Sequence, residues 1–258
     1  MNHPRVVLIV QARLGSTRLP GKILRPLLGK LMLEWELERL KKAKRVDEFV
    51  LATTNKTEDD AVVGVGERAE FTCFRGNEND VLDRYYHAAK EAKADVVVRV
   101  TGDCPLHDPE VVDRVVEHFF DSGADYAKTP ENYPEGLDTE VFSFKALEDS
   151  WKEAKLPSER EHVTLFIRNH PERFRIDSWR TGAFDHSSYH WSVDTEADFR
   201  FVESVYENLG GDTMFHMNDV LALLEREPKL QEINKGGTGY EGLEKSLRDD
   251  ELLKKRHG

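Results

Sequence analysis

Residues Gln11–Lys22, QARLGSTRLPGK, constrain this chain more than any other stretch. Three cations, two glycines, two hydroxyls and a proline follow directly on an apolar run, Val6–Val10. The run reads as a short buried strand. In the loop, flexible backbone at Gly15 and Gly21 lets main-chain N–H groups turn onto an anion. Arg13 and Arg18 offer planar forks and Lys22 a point charge, so together they can surround several phosphate oxygens. The alternative is a solvated surface turn. A Walker A loop places four residues between its glycines and a Ser or Thr after the lysine. Here five residues separate Gly15 from Gly21, and Ile23 follows Lys22, which excludes that loop. The G-x-G-x-x-G spacing of a dinucleotide-binding dehydrogenase is also missing.

The net charge of −12 argues against a general nucleic-acid binder and makes the loop a local exception, since no carboxylate occurs from Gln11 through Arg25. Such a patch steers a polyanionic ligand. The chain of 258 residues, 39% hydrophobic and 33% charged, suits one large domain with a sizeable core. No apolar run approaches the roughly 20 residues of a membrane span, and no signal peptide is evident at the N-terminus. The two cysteines, Cys73 and Cys104, make neither a metal motif nor a disulfide framework. A cytoplasmic protein with no membrane partner is expected.

Strand and helix patterns alternate through residue 120: strands at 6–10, 49–53, 71–74 and 96–100, and helices at 31–43, 57–69, 80–94 and 109–120. This predicts an α/β fold with a Rossmann-like, doubly wound, mostly parallel sheet. The single domain divides into a nucleotide-binding half, 1–127, and an acceptor and dimer half, 128–258. In the second half a strand is expected at 136–144, helices at 144–153 and 158–168, a strand end at 191–194, and helices from Thr195 and over 217–227. The glycine-rich, then charged, tail from Gly236 is expected to be partly mobile.

In open parallel sheets, ligands bind beyond the carboxyl ends of the strands where the strand order reverses. With the order 3-2-1-4, the cationic loop after strand one meets Asp103 after strand four. An acid facing cations is what a magnesium triphosphate requires, because the metal bridges carboxylate and phosphate oxygens. Asp194 is the second candidate metal ligand. On residue pattern alone, Asp103 is a metal ligand or a turn residue, and Asp194 a metal ligand or a helix cap.

Several motifs together resemble the cytidylyltransferase family: QARLGSTRLPGK at 11–22, Arg75-Gly76 with Asp80-Val81-Leu82 and Arg84, TGDCPL at 101–106, GLDTEVF at 136–142, SEREHVT at 158–164 and WSVDT at 191–195. The likeness covers nearly the whole chain, including Glu241-Gly242 and Lys245-Ser246-Leu247. It is strongest to the spore coat polysaccharide branch and weaker to the CMP-KDO and CMP-acylneuraminate synthetases. The resemblance implies a nucleotide-diphospho-sugar transferase fold and a homodimer. It also implies transfer of CMP from CTP to an acidic, nonulosonate-like sugar with magnesium, releasing pyrophosphate. By motif, Arg13, Ser16, Arg18 and Lys22 hold the triphosphate, with Gln11, Ala12, Gly15, Thr53 and Gly102 among the nucleotide contacts. Arg13, Lys22 and Asp103 are the expected catalytic set, and Asp103 and Asp194 the magnesium ligands. Asp138, Glu140, Arg160 and His162 are expected at the acceptor, with Asp138 a candidate general base and His162 either a substrate contact or a structural histidine. Two alternatives stay open: a phosphosugar or phosphonate acceptor, and a non-catalytic nucleotide-binding homologue.

Overall fold

The computed structural model describes residues 3–177, 179, 181–182, 184–211, 214–236, 246–248 and 250–251. Strand β1 (Val6–Gln11) is apolar from Val6 through Val10 because helices cover both faces of its sheet. Val6, Leu8 and Val10 face one helical layer, and Val7 and Ile9 face the other. A small hairpin follows the cationic loop, β2 (Pro26–Leu27) with β3 (Lys30–Leu31), and leads into α1 (Met32–Leu40). Then come β4 (Glu48–Thr54), α2 (Asp60–Arg68), β5 (Thr72–Gly76), α3 (Val81–Glu91), β6 (Val96–Thr101) and α4 (Pro109–Ser122). Local chemistry sets the starts of these helices. The Asp80 carboxylate caps α3 by accepting from Asp83 N, and Asp108 caps α4 with Pro109 in the first turn.

The second half adds β7 (Tyr126–Lys128), β8 (Glu140–Ser143), α5 (Phe144–Glu153), α6 (Pro157–Glu161), α7 (Leu165–Asn169), β9 (Ile176–Asp177), α8 (Glu196–Asn208) and α9 (Met217–Arg226). The main sheet has seven strands in the order β5-β4-β1-β6-β8-β7-β9. Its first four strands follow the expected 3-2-1-4 order and are all parallel. Strand β8 runs antiparallel to both β6 and β7, so it alone reverses direction. Helices α1, α2, α4, α8 and α9 pack on one face, and α3, α5 and α7 on the other.

Three expectations change. The helix expected over 158–168 is two helices, α6 and α7, because Val163 between them has φ +36°. Residues 191–194 are not a strand; His190 makes an isolated bridge to Glu135, and the chain then crosses the site as an irregular segment. The strand expected at 136–144 is confined to 140–143, with a turn before it. Most of the expected mobile tail, with Glu241, Gly242 and Lys245, lies outside the described residues. Among those residues, no helix is long and apolar enough to cross a membrane.

Candidate active site

The carboxyl ends of β1 and β6 open onto a cavity of about 270 Å³. Gln11, Arg13, Arg18 and Lys22 line it from the first loop, and Thr101, Gly102, Asp103 and Cys104 from the end of β6. The second half adds Glu135, Asp138, Ser192 and Asp194. The parallel order brings together two loops some 80 residues apart because neighbouring β1 and β6 end on the same edge.

Lys22 is the centre of this arrangement. It begins a short 3-10 turn, and its side chain is only 9% exposed. Its ammonium donates to Asp103 Oδ2 at 2.8 Å, Asp194 Oδ1 at 3.0 Å and the Val193 carbonyl at 2.6 Å. Burial disfavours the charged amine, but the two aspartates outweigh burial and raise its pKa. The reverse holds at Asp103: burial would raise its carboxyl, and Lys22 holds it below the usual carboxylate range. Arg18 pairs with Asp194 at 2.7 Å. Arg13 pairs with Glu78 at 2.8 Å, and Lys56 joins the same carboxylate. A buried acid, Asp59, fixes the loop by accepting from Leu14 N at 2.9 Å.

The other expected nucleotide contacts divide. Ala12 is buried, and its N–H donates to the Ala52 carbonyl at 3.2 Å. Gly15 lies beside the Arg13–Glu78 pair. The Ser16 hydroxyl accepts from Leu19 N at 3.3 Å, which shapes the loop. Thr53 is fully buried in β4 and does not line the cavity.

Of the four expected acceptor residues, the cavity includes only Asp138. Its Oδ2 accepts from Gly136 N at 3.0 Å, and its side chain is exposed, with Glu135 and Glu140 as neighbouring like charges. Glu140 instead closes a buried network beneath the site, where it pairs with Arg99 and accepts from Tyr126 at 2.5 Å and Thr164 at 2.6 Å. Burial would raise its carboxyl, but Arg99 and Arg168 outweigh that and bring it down to about 2. Arg160 turns its fork onto Asp80, with Nη2 at 2.5 Å from Oδ2, and so ties α6 to the start of α3. His162 hydrogen-bonds Ser246 at 3.1 Å.

Ile23, Thr101, Cys104, Glu135 and Ser192 also line the cavity and are not among the expected site residues. The sequence reading also missed Glu36, a fully buried acid that accepts from Cys104 N at 3.0 Å and whose carboxyl burial raises well above its usual range. Cys104 and Ser192 carried a signal, since they lie inside the TGDCPL and WSVDT motifs, while Glu135 stands just outside GLDTEVF, before Gly136, whose φ of +97° marks a tight turn.

The donor set can be tested against a divalent ion. Among the described residues, no three His, Cys, Asp or Glu side chains make a metal-holding group. Asp103 and Asp194 nevertheless share one cation, the Lys22 ammonium. Two hard carboxylates fit a magnesium ion that keeps several waters and takes its remaining oxygens from substrate phosphates.

A family model described as cytidylyltransferase matches residues 7–228. The spore coat polysaccharide biosynthesis protein SpsF of Bacillus subtilis is 35% identical over 229 residues, covering 86% of this chain and 95% of its own. A 3-deoxy-manno-octulosonate cytidylyltransferase of Geobacter sulfurreducens is 32% identical over 176 residues, 67% of this chain and 66% of its own. The solved structure of a cytidylyltransferase from Leptospira borgpetersenii superposes with a TM-score of 0.85 at 31% identity, covering 92% of this chain and all of that one. With a family model spanning most of its length, this chain belongs to the cytidylyltransferase family and is a CTP-dependent nucleotidyltransferase.

Proposed function

We propose that the protein transfers CMP from CTP to an acidic sugar, releasing pyrophosphate, as a step in making a surface polysaccharide or glycoconjugate. The observation that carries this reading is the alternation of charge around Lys22, where two aspartates and two arginines converge at the end of β1. The relatives named above point to an acidic sugar and to polysaccharide synthesis.

In this reading Arg13, Arg18 and Lys22 exchange their carboxylate partners for triphosphate oxygens. Gln11, Gly15 and Gly102 complete the nucleotide side. A sugar hydroxyl attacks the α-phosphorus, the bond from that phosphorus to the bridging oxygen breaks, and the electron pair leaves with pyrophosphate. Negative charge grows on the leaving group, where fixed cations lower the barrier. Asp103 and Asp194 would hold magnesium, which supplies Lewis-acid stabilisation of that charge when bound. Asp138, which lines the cavity with its Oδ2 held by Gly136 N, accepts the hydroxyl proton. A homodimer belongs to the same proposal, and sedimentation velocity checks it.

Thermal stabilisation by CTP, ATP, GTP and UTP with magnesium tests the nucleotide. CTP is expected to raise the melting temperature most, and equal shifts by all four would remove the cytidylyl assignment. Asp103→Asn is expected to fold normally and to lose at least about 100-fold in pyrophosphate release with 3-deoxy-manno-octulosonate.

A further inference from the structure

Among the described residues, the second half contributes three carboxylates and a hydroxyl to the cavity lining, and no cation. Asp194 is engaged by Lys22 and Arg18. Glu135, Asp138 and Ser192 remain, and these are groups that receive hydrogen bonds from hydroxyls. Lys128 pairs with Glu131, with its charge also felt at Asp138, and Arg160 pairs with Asp80; neither lines the cavity. Glu135 is also held in place. The His190 ring lies 2.8 Å through Nδ1 from its Oε2, while Nε2 is 3.3 Å from Ser192 Oγ and 3.7 Å from Asp198 Oδ1. Only 5% of the His190 side chain is exposed; burial disfavours its charge, but Glu135 and Asp198 outweigh burial and raise its pKa. Asp198 in turn accepts from Asp194 N at 3.1 Å, and Asn234 donates to Asp198 Oδ1 at 3.1 Å. One buried chain therefore connects the backbone of Asp194 to the Glu135 carboxylate.

We propose that Glu135, set in place by His190, contacts the acceptor and, with Asp138 and Ser192, selects its hydroxyl-bearing chain rather than its carboxylate. His190 is a positioning residue. The inference rests on the cytidylyl-transfer reading and deepens it: the substrate class becomes a polyhydroxylated acid recognised through its hydroxyls. A carboxylate pointed at Glu135 and Asp138 would meet like charge, whereas hydroxyls would find charged acceptors that make stronger hydrogen bonds than neutral ones.

The test uses the whole protein with CTP and magnesium and three probes. Two are hydroxyl-rich sugar acids, 3-deoxy-manno-octulosonate and N-acetylneuraminate. The third, pyruvate, has the keto acid without the hydroxyl chain. At least one sugar acid is expected to stabilise the protein beyond CTP alone, and pyruvate is not. Glu135→Gln is expected to keep the CTP shift and to raise KM for that sugar acid about tenfold or more, with a smaller effect on kcat. His190→Gln, whose amide still donates to Glu135, is expected to hold KM closer to the native value than His190→Ala. The inference is overturned by stabilisation from pyruvate equal to that from the sugars, by no added stabilisation from either sugar, or by an unchanged KM in Glu135→Gln. Loss of the CTP shift in that variant overturns it too, since the carboxylate would then serve the nucleotide. An unselective nucleotide response in the native protein is the separate sign that the cytidylyl reading itself has failed.

Discussion

The side chains that carry charge at this site are held by their opposites, and the consequences differ with depth. Lys22 and Asp103 sit at the cavity, where a ligand can replace either partner. Glu140 and Arg99 do not line it, and Glu140 is held by Arg99, Tyr126 and Thr164 at once. The Glu140 carboxyl is brought down to about 2 from an ordinary 4.5, so the unfolded chain takes up its proton first on acidification. Its contribution to stability is therefore complete above about pH 4.5 and is lost as the pH falls toward 2. Glu140→Gln is expected to destabilise the protein by about 2–3 kcal/mol at pH 7, because Arg99, only 17% exposed, is left without its carboxylate. In urea unfolding at pH 7 and pH 3, the gap between variant and native protein should narrow at pH 3; an equal gap at both would show that the charge is not its source. The GLDTEVF motif marked Glu140 as important without revealing its depth. A side chain four residues after Gly136 could face the cavity or the core, and only the placement of β8 beside β6 decides.

At the level of elements, the first half was far more legible than the second. Apolar runs bounded by turns name β1, β4 and β6, and the ligand rule for open sheets then places Asp103 against the loop. Nothing local marks the two-residue strand β9, or the break at Val163, where a β-branched residue takes a positive φ. The 135–138 turn shows why tertiary contact governs this region. Gly136 has φ +97°, and a Cβ there would lie 2.6 Å from Ser192 N and 2.7 Å from the Trp191 carbonyl carbon. Gly29 has a similar φ of +86° but open space around it. Gly29→Ala is therefore expected to cost about 1–2 kcal/mol from backbone strain alone. Gly136→Ala must also push the 191–194 segment away, so it should lose more stability and disturb Glu135 and Asp194 together. Melting temperatures of the two variants, with pyrophosphate release, check this: equal losses of stability and unimpaired turnover in Gly136→Ala would sink the argument.

Across the whole molecule, the division at residue 127 separates functions without separating cores. One hydrophobic cluster joins Leu8 and Val98 of the first half to Trp191, Phe199 and Val202 of the second. The other joins Ile9 and Val97 to Phe142, Leu147 and Phe166. Strand β8 covers the edge of β6, and the Tyr86 and Trp151 rings stack at 4.1 Å across the same boundary. A chain ending at residue 127 would uncover that strand edge and strip Phe142, Leu147, Phe166, Trp191, Phe199 and Val202 from the two clusters, exposing apolar surface worth about 25 cal/mol for each Å² left in water. Such a chain is expected to show no cooperative thermal transition and no stabilisation by magnesium and CTP, because Asp194 and the segment that holds it are gone. Calorimetry and near-ultraviolet circular dichroism of residues 1–127 decide the matter. A sharp transition that rises with CTP would mean that the nucleotide half folds and binds alone, so that the second half only adds the acceptor. Without such a transition, the two clusters act as one cooperative structure, and the Lys22–Asp103–Asp194 contact forms only when both halves have folded.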